Sequence, residues 1–301
     1  MKQSTFLHKL QDSLFVEKKV TVYLKREDLL HPAISGNKWR KLKYNVSAAK
    51  EQDKSALLTF GGAYSNHIAA VAAAGQEYSF KTLGLIRGEE HLPLNPTLAF
   101  AADCGMQLFY LDREAYRQKD NLKFLDSLQQ QYPEAYLLPE GGTNLLAVQG
   151  CTEIVADIPI PFDYICCAAG TGGTLAGIIV GLAGEKKVIG FPALKGGGFL
   201  YQEIEQLVKA YTGLEYANWE LQTQYHFGGY AKIKPELLQF IKDFKALQGI
   251  LLEPIYTGKM LFGIYDLIRQ DYFKPGSRII ALHTGGLQGL GGFEERFGIE
   301  F

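Results

Sequence analysis

Short apolar runs rich in β-branched and aromatic residues alternate with stretches of helical periodicity along most of this 301-residue chain. Residues 20–25, 56–60, 81–87, 106–111, 136–138, 163–169, 187–193 and 278–283 read as strands. Several are apolar at successive positions, as expected where helices cover both faces of a sheet. Between them, 65–74, 96–104, 114–131, 145–156, 174–182, 235–247 and 258–269 carry the helical pattern. The alternation predicts α/β architecture built on parallel sheets. A Pro/Gly/Asn cluster from Pro139 to Asn144 separates a first set of βα units from a second and is the expected domain junction.

Composition narrows the partners. The chain is 47% hydrophobic, enough to bury one large domain or two ordinary ones. Lysine and arginine number 31 against 32 acidic residues, which argues against nucleic acid or a membrane surface as partner and in favour of small molecules. Cys104, Cys151, Cys166 and Cys167 show no C-x-x-C spacing and read as reduced, mostly buried thiols. Residues 1–15 hold no continuous apolar run, and no stretch approaches the roughly 18 apolar residues of a membrane helix, so a cytoplasmic protein is expected. The histidines, His8, His31, His67 and His283 among them, form no i, i+4 pair, and no metal site is expected.

Candidate chemistry lies in the loops after strands, where open α/β sheets bind ligands. Lys38, in Ser35-Gly36-Asn37-Lys38-Trp39-Arg40-Lys41, follows the first strand where a lysine can lose its water and become nucleophilic. Lys41 and Lys43 are expected to be ordinary solvated lysines, although spacing alone does not separate them from Lys38. Gly170-Thr171-Gly172-Gly173-Thr174 lies between a strand and a helix and suits a phosphate, with a purely structural glycine turn as the alternative. Dinucleotide spacing fits poorly, because Leu175 stands at the last glycine and Gly190-Phe191 where an acidic residue belongs.

Ser65, Asn66 and His67 begin another helix after Gly61-Gly62. Ser65 could cap that helix or transfer a proton, Asn66 could donate to a phenolate oxygen, and His67 could accept a proton near neutral pH. Tyr256 and Thr257 offer a ring face and a hydroxyl before Gly258, while Gly228-Gly229-Tyr230 is either a ligand-facing loop or an aromatic staple. The turn Thr284-Gly285-Gly286 either closes the same site or simply ends a strand.

In this order, Lys25-Arg26-Glu27-Asp28, Ser35 to Lys41, Gly61 to His67, Gly170 to Thr174, Gly228 to Tyr230 and Pro254 to Lys259 resemble one enzyme family. It is the D-cysteine desulfhydrase and 1-aminocyclopropane-1-carboxylate deaminase family of the tryptophan-synthase-β-like fold. The resemblance implies pyridoxal 5'-phosphate as cofactor, a homodimer, a large domain of residues 1–44 plus 146–301, and a small α/β domain of residues 45–145. It implies that Lys38 holds the aldehyde, Asn66 the ring oxygen and Gly170 to Thr174 the phosphate. Tyr256 would lie near the ring and Thr257 at its nitrogen, while Ser65, Asn66, His67 and Tyr230 would meet the substrate. Lys38 and Ser65 both remain candidates for removing the α-proton.

The deaminases carry a glutamate where this chain has Thr257, which resembles the desulfhydrase pattern. A neutral hydroxyl makes the ring a weaker electron sink, favouring loss of a β-substituent over ring opening. The expectation is a lyase that converts D-cysteine to pyruvate, ammonia and sulfide, with 1-aminocyclopropane-1-carboxylate deamination as the alternative. From other classes, a nucleotide-dependent oxidoreductase and a non-catalytic ligand-binding module are the rivals.

Overall fold

In the computed structural model, which describes residues 6–298, two sheets face each other across a cleft. The strands are β1 Leu7–Lys9, β2 Thr21–Arg26, β3 Ala56–Gly62, β4 Lys81–Arg87, β5 Met106–Leu111, β6 Ala135–Leu138, β7 Tyr164–Ala169, β8 Lys187–Pro192, β9 Trp219–Leu221 and β10 Arg278–His283. One sheet has the order β1-β2-β10-β7-β8-β9, and the other β5-β4-β3-β6. All pairings are parallel except β1 with β2, an antiparallel edge.

The helices are α1 Ser13–Glu17, α2 Asn37–Glu51, α3 Asn66–Tyr78, α4 Pro96–Asp103, α5 Arg113–Tyr116, α6 Leu122–Gln131, α7 Leu145–Ala156, α8 Gly173–Leu182, α9 Leu200–Thr212, α10 Pro235–Gln248, α11 Thr257–Arg269 and α12 Leu290–Phe297. Cores lie on both faces of each sheet. Leu24, Ile279 and Ala281 pack with Leu237, Ile241, Leu261 and Ile264 on one face of the larger sheet, and Ile165, Ile280 and Leu282 pack with Val148 and Ile178 on the other. Each fully buried Leu or Ile contributes about 1.5–3 kcal/mol. This two-sided burial explains why the strands read as unbroken apolar runs.

Four elements depart from the sequence pattern. The helix expected over 114–131 is broken, because Asn121 turns out of helical geometry and its side chain accepts Lys123 N–H to start α6 afresh. Edge strands β1 and β9 have three residues each, too few for a periodicity signal. Helix α9, not picked out from the sequence, is amphipathic, burying Leu200, Ile204 and Val208.

Helix α2 is fixed at both sides of its first turn. Gly36 enters it at φ 64°, and a Cβ there would lie 1.9 Å from the Thr284 carbonyl oxygen at the end of β10, so only glycine fits. Two residues past Lys38, Arg40 reaches a buried ion network. Its Nε donates to Glu27 Oε2 at 2.9 Å and its Nη2 to Asp157 Oδ2 at 2.6 Å, while Lys25 Nζ meets Glu27 Oε1 at 2.7 Å. Glu27 is wholly buried, so its removal leaves two cations without their shared carboxylate. Glu27→Gln is therefore expected to lower unfolding free energy by about 3–5 kcal/mol in urea titrations, and Glu27→Leu combined with Arg40→Met to recover part of that loss.

Candidate active site

The carboxyl ends of β2, β3, β4, β6, β7 and β10 open on one cleft of about 880 Å³. The structure brings Lys38, Ser65, Asn66, His67, the Gly170 to Thr174 turn, Tyr230 and Tyr256 together on its wall. Thr257 is not on that wall. It is buried one residue behind Tyr256, where its hydroxyl contacts Glu253 Oε1 at 3.1 Å and accepts Glu253 N–H at 3.1 Å.

Glu253 explains the geometry of this wall. Its buried carboxylate accepts the N–H groups of Ile255, Tyr256 and Thr257 at 2.6–3.1 Å, occupying the N-terminus of α11. Burial pushes its carboxyl up, and those same N–H groups pull it back down. Tyr256 is thereby held over Gly170, and Tyr230 meets it edge to face at 6.1 Å. Lys259 holds the Tyr230 loop from inside, its Nζ donating to the Gly229 carbonyl at 2.7 Å and to that of Ala193 at 3.3 Å. Without a carboxylate in hand, the buried Lys259 is pushed down to about 8.

Lys38 lies at the start of α2, and its Nζ donates to Asn37 Oδ1 at 3.1 Å. Asn37 Nδ2 donates in turn to Thr174 Oγ1 at 2.8 Å, tying the lysine to the glycine turn. Desolvation holds the Lys38 ammonium below the ordinary lysine range. A larger share of amine at neutral pH is what a carbonyl-attacking lysine needs.

Lys41 corrects the expectation of a solvated side chain. One helical turn beyond Lys38, it is buried, and its Nζ donates to the Gly141 carbonyl and Thr143 Oγ1, both at 2.9 Å, with Thr171 Oγ1 at 3.4 Å. Burial, with repulsion from Lys38, pushes it down to about 7. Lys43 is half-exposed and paired with Glu153. Helix α8 has no side-chain cap, so its first N–H groups, the threonine hydroxyls and Lys41 converge on one anion-sized position.

The α3 turn is also specific about protons. Ser65 Oγ accepts from His67 N and Ile68 N at 3.2 and 3.3 Å, so the capping role is filled and its oxygen is occupied twice. Gln288 Nε2 donates to Asn66 Oδ1, which leaves the Asn66 amide N–H groups beside Gly286 as donors. His67 does not titrate near neutrality as expected. Burial first, then the Lys38 and Lys41 charges, hold it well below the ordinary histidine range. Thr59 Oγ1 donates to the Leu138 carbonyl at 3.0 Å and lies 2.8 Å from His67 Nε2, while a backbone hydrogen bond to the Pro139 carbonyl partly offsets the lowering of His67.

Among the described residues no cluster could hold a metal ion, and no helix is long and apolar enough to cross a membrane. The donor set instead matches an aldehyde with an anionic tail: a depressed lysine, an amide donor and a cationic, glycine-lined turn. Comparison with known proteins agrees, since residues 5–285 match the family described as pyridoxal-phosphate dependent enzyme. The chain belongs to the pyridoxal-phosphate-dependent enzymes. Its fold is the two-sheet, tryptophan-synthase-β-like arrangement of fold type II.

Among relatives of this pyridoxal-phosphate enzyme, a Pyrococcus horikoshii protein provisionally named 1-aminocyclopropane-1-carboxylate deaminase is 30% identical over 285 residues, spanning 89% of this chain and 85% of that one. The D-cysteine desulfhydrase of Serratia proteamaculans is 27% identical over 288 residues, spanning 89% and 87%. A crystal structure of a 1-aminocyclopropane-1-carboxylate deaminase homologue superposes with TM-score 0.86 at 28% identity, covering 97% of this chain and 92% of that one.

Sequence reasoning missed Asn37, Lys41 and Gln288 as parts of this wall and Lys259 as a buried support behind it. Only Asn37 and Lys41 carried a signal, their place within one turn of Lys38. Because Lys41 titrates near 7 without an anion beside it, it is mostly neutral at pH 8, and an anion raises its pKa and draws in a proton. Inorganic phosphate binding to the cofactor-free protein at pH 8 is expected to take up about one proton more in the parent than in Lys41→Met, read by calorimetry in buffers of different ionisation enthalpy.

Proposed function

We propose that this enzyme eliminates the β-substituent of a small amino acid, with D-cysteine giving pyruvate, ammonia and sulfide. In this reading Lys38 holds the aldehyde of pyridoxal phosphate, and the Gly170 to Thr174 turn with Lys41 holds its phosphate. The Asn66 amide meets the ring oxygen, and Tyr256 lies against the ring. When bound, the cofactor supplies an electron sink for the pair left on Cα. The substrate carboxylate lies at the start of α3 near Ser65, Asn66 and His67, and Tyr230 faces the β-carbon.

The single observation that carries the choice of elimination is that, among the described residues, no carboxylate lines the cleft wall beside Tyr256. The helix-start residue is Thr257, whose hydroxyl is already engaged with Glu253, and Glu253 itself is spent on backbone N–H groups. The wall carboxylates are Asp28, paired with Arg26, and Glu140, which accepts from Tyr116. A sink without a direct carboxylate favours departure of a good β-leaving group over ring opening. Glu253 sits one hydrogen bond behind Thr257, so some of its charge is relayed, and relatives named for each activity support both readings.

Lys38 is the better base for the α-proton. Its burial favours the free amine, whereas the Ser65 oxygen already accepts two N–H groups. Ser65 keeps its proton for donation, which suits carboxylate binding.

The test supplies the cofactor-loaded protein with D-cysteine and, separately, with 1-aminocyclopropane-1-carboxylate. Pyruvate and sulfide from the first, with little 2-oxobutanoate from the second, is the expected result. The reverse order of rates would establish the deaminase reading instead. Thr257→Glu, which adds a carboxylate behind Tyr256 and against Glu253, is expected to lower D-cysteine turnover by roughly tenfold or more while raising the relative rate on the cyclopropane.

A further inference from the structure

Arg87 ends β4, exposed on the cleft wall, and is the one charged side chain there without a hydrogen bond or ion pair among the described residues. The other charges are engaged. Arg26 donates to Asp28 at 2.7 Å, Tyr116 donates to Glu140 at 2.7 Å with Lys119 nearby at 3.6 Å, and Lys38 and Lys41 have the oxygen partners described above.

Its position is nonetheless built. The guanidinium carbon lies 5.7 Å from the centre of the Tyr116 ring, and Tyr116 is buried with its hydroxyl fixed on Glu140. Gly62 is the cross-strand neighbour of Arg87, and a Cβ there would sit 3.6 Å from Nη2, so the strand beside the guanidinium carries no side chain to cover it. Tyr230 lines the same cleft, and the Arg87 charge partly offsets the upward push that burial gives its phenol. A cation held by an aromatic face keeps its N–H edge available for a bidentate anion.

We propose that Arg87 is a specificity-determining residue that binds a negative charge on the β-side of the substrate, so that the enzyme takes small amino acids bearing a second anionic group, a sulfonate or carboxylate. The inference rests on the elimination reading above, in which Tyr230 faces the β-carbon and the α-carboxylate is held at the start of α3. The chemistry balances without a further reactant. The Cα–H bond breaks to the base, its electron pair forms the Cα–Cβ double bond, and the Cβ–X bond breaks with its pair on X. Water then hydrolyses aminoacrylate to pyruvate and ammonia, and a sulfonate leaves as sulfite.

The experiment compares pyruvate formation by the cofactor-loaded parent, Arg87→Gln and Arg87→Lys on racemic β-chloroalanine, cysteate and S-carboxymethylcysteine. Arg87→Gln is expected to lower the ratio of kcat/KM on the two anionic substrates to that on β-chloroalanine by roughly tenfold to a hundredfold, mostly through KM, and Arg87→Lys to restore part of it. An unchanged ratio overturns the role of Arg87, as does a parent that turns over β-chloroalanine but neither converts nor is competitively inhibited by the anionic amino acids. In both cases the elimination reading survives. Failure of the parent on β-chloroalanine as well overturns that reading and the inference with it.

Discussion

Everything at the cleft depends on how α2 begins. The chain passes Gly36 against the backbone of Thr284 at a distance no side chain tolerates, and Asn37 N–H donates to the same carbonyl at 3.2 Å. That contact sets the helix start at the carboxyl end of the larger sheet. Arg40 then locks its rotation by reaching Glu27 and Asp157. Residues three apart share a helix face, so once Arg40 is turned into the ion network, Lys38 and Lys41 are presented together to the cleft.

Two lysines one turn apart in a desolvated wall are unfavourable: burial lowers both, and the Lys38 charge adds to the lowering of Lys41. Both carry lowered folded-state values, so the penalty is full at low pH and, for Lys41, relieved as pH rises from about 7 toward the ordinary lysine value of 10.5. An aldehyde with an anionic tail would relieve it at constant pH, by drawing on the amine of one lysine and placing negative charge beside the other. The surrounding groups are arranged to leave the needed donors open: Gln288 occupies the carbonyl of Asn66 but not its amide, and two N–H groups occupy the oxygen of Ser65 but not its proton.

Strands buried on both faces were legible because continuous apolar runs leave few other readings, and β4, β5 and β10 begin and end where the pattern places them. Glycine turns after strands marked the uncapped start of α8 and the α3 start, both on the cleft, and Lys38 stood out by its company. Burial of an individual polar side chain was not legible. Lys41 and Lys43 look alike along the chain, yet one faces Thr143 and Thr171 and the other pairs with Glu153 near solvent, a difference made by α2 packing on α7. Thr257 looked like a wall residue and lies behind Tyr256, because Glu253 draws it inward. Gln288 and Lys259 act through side chains and carbonyls far away in sequence, which no local pattern reports.

The central claim is that Lys38, and not Lys41 one turn away, forms the covalent bond to the cofactor. The most direct measurement is borohydride reduction of the loaded protein, proteolysis and mass spectrometry of the modified peptide. A reduced pyridoxyl phosphate on Lys38, lost entirely in Lys38→Ala and kept in Lys41→Met given excess cofactor, is the predicted result. Modification of Lys41, or a visible band of equal intensity in Lys38→Ala, would contradict the account.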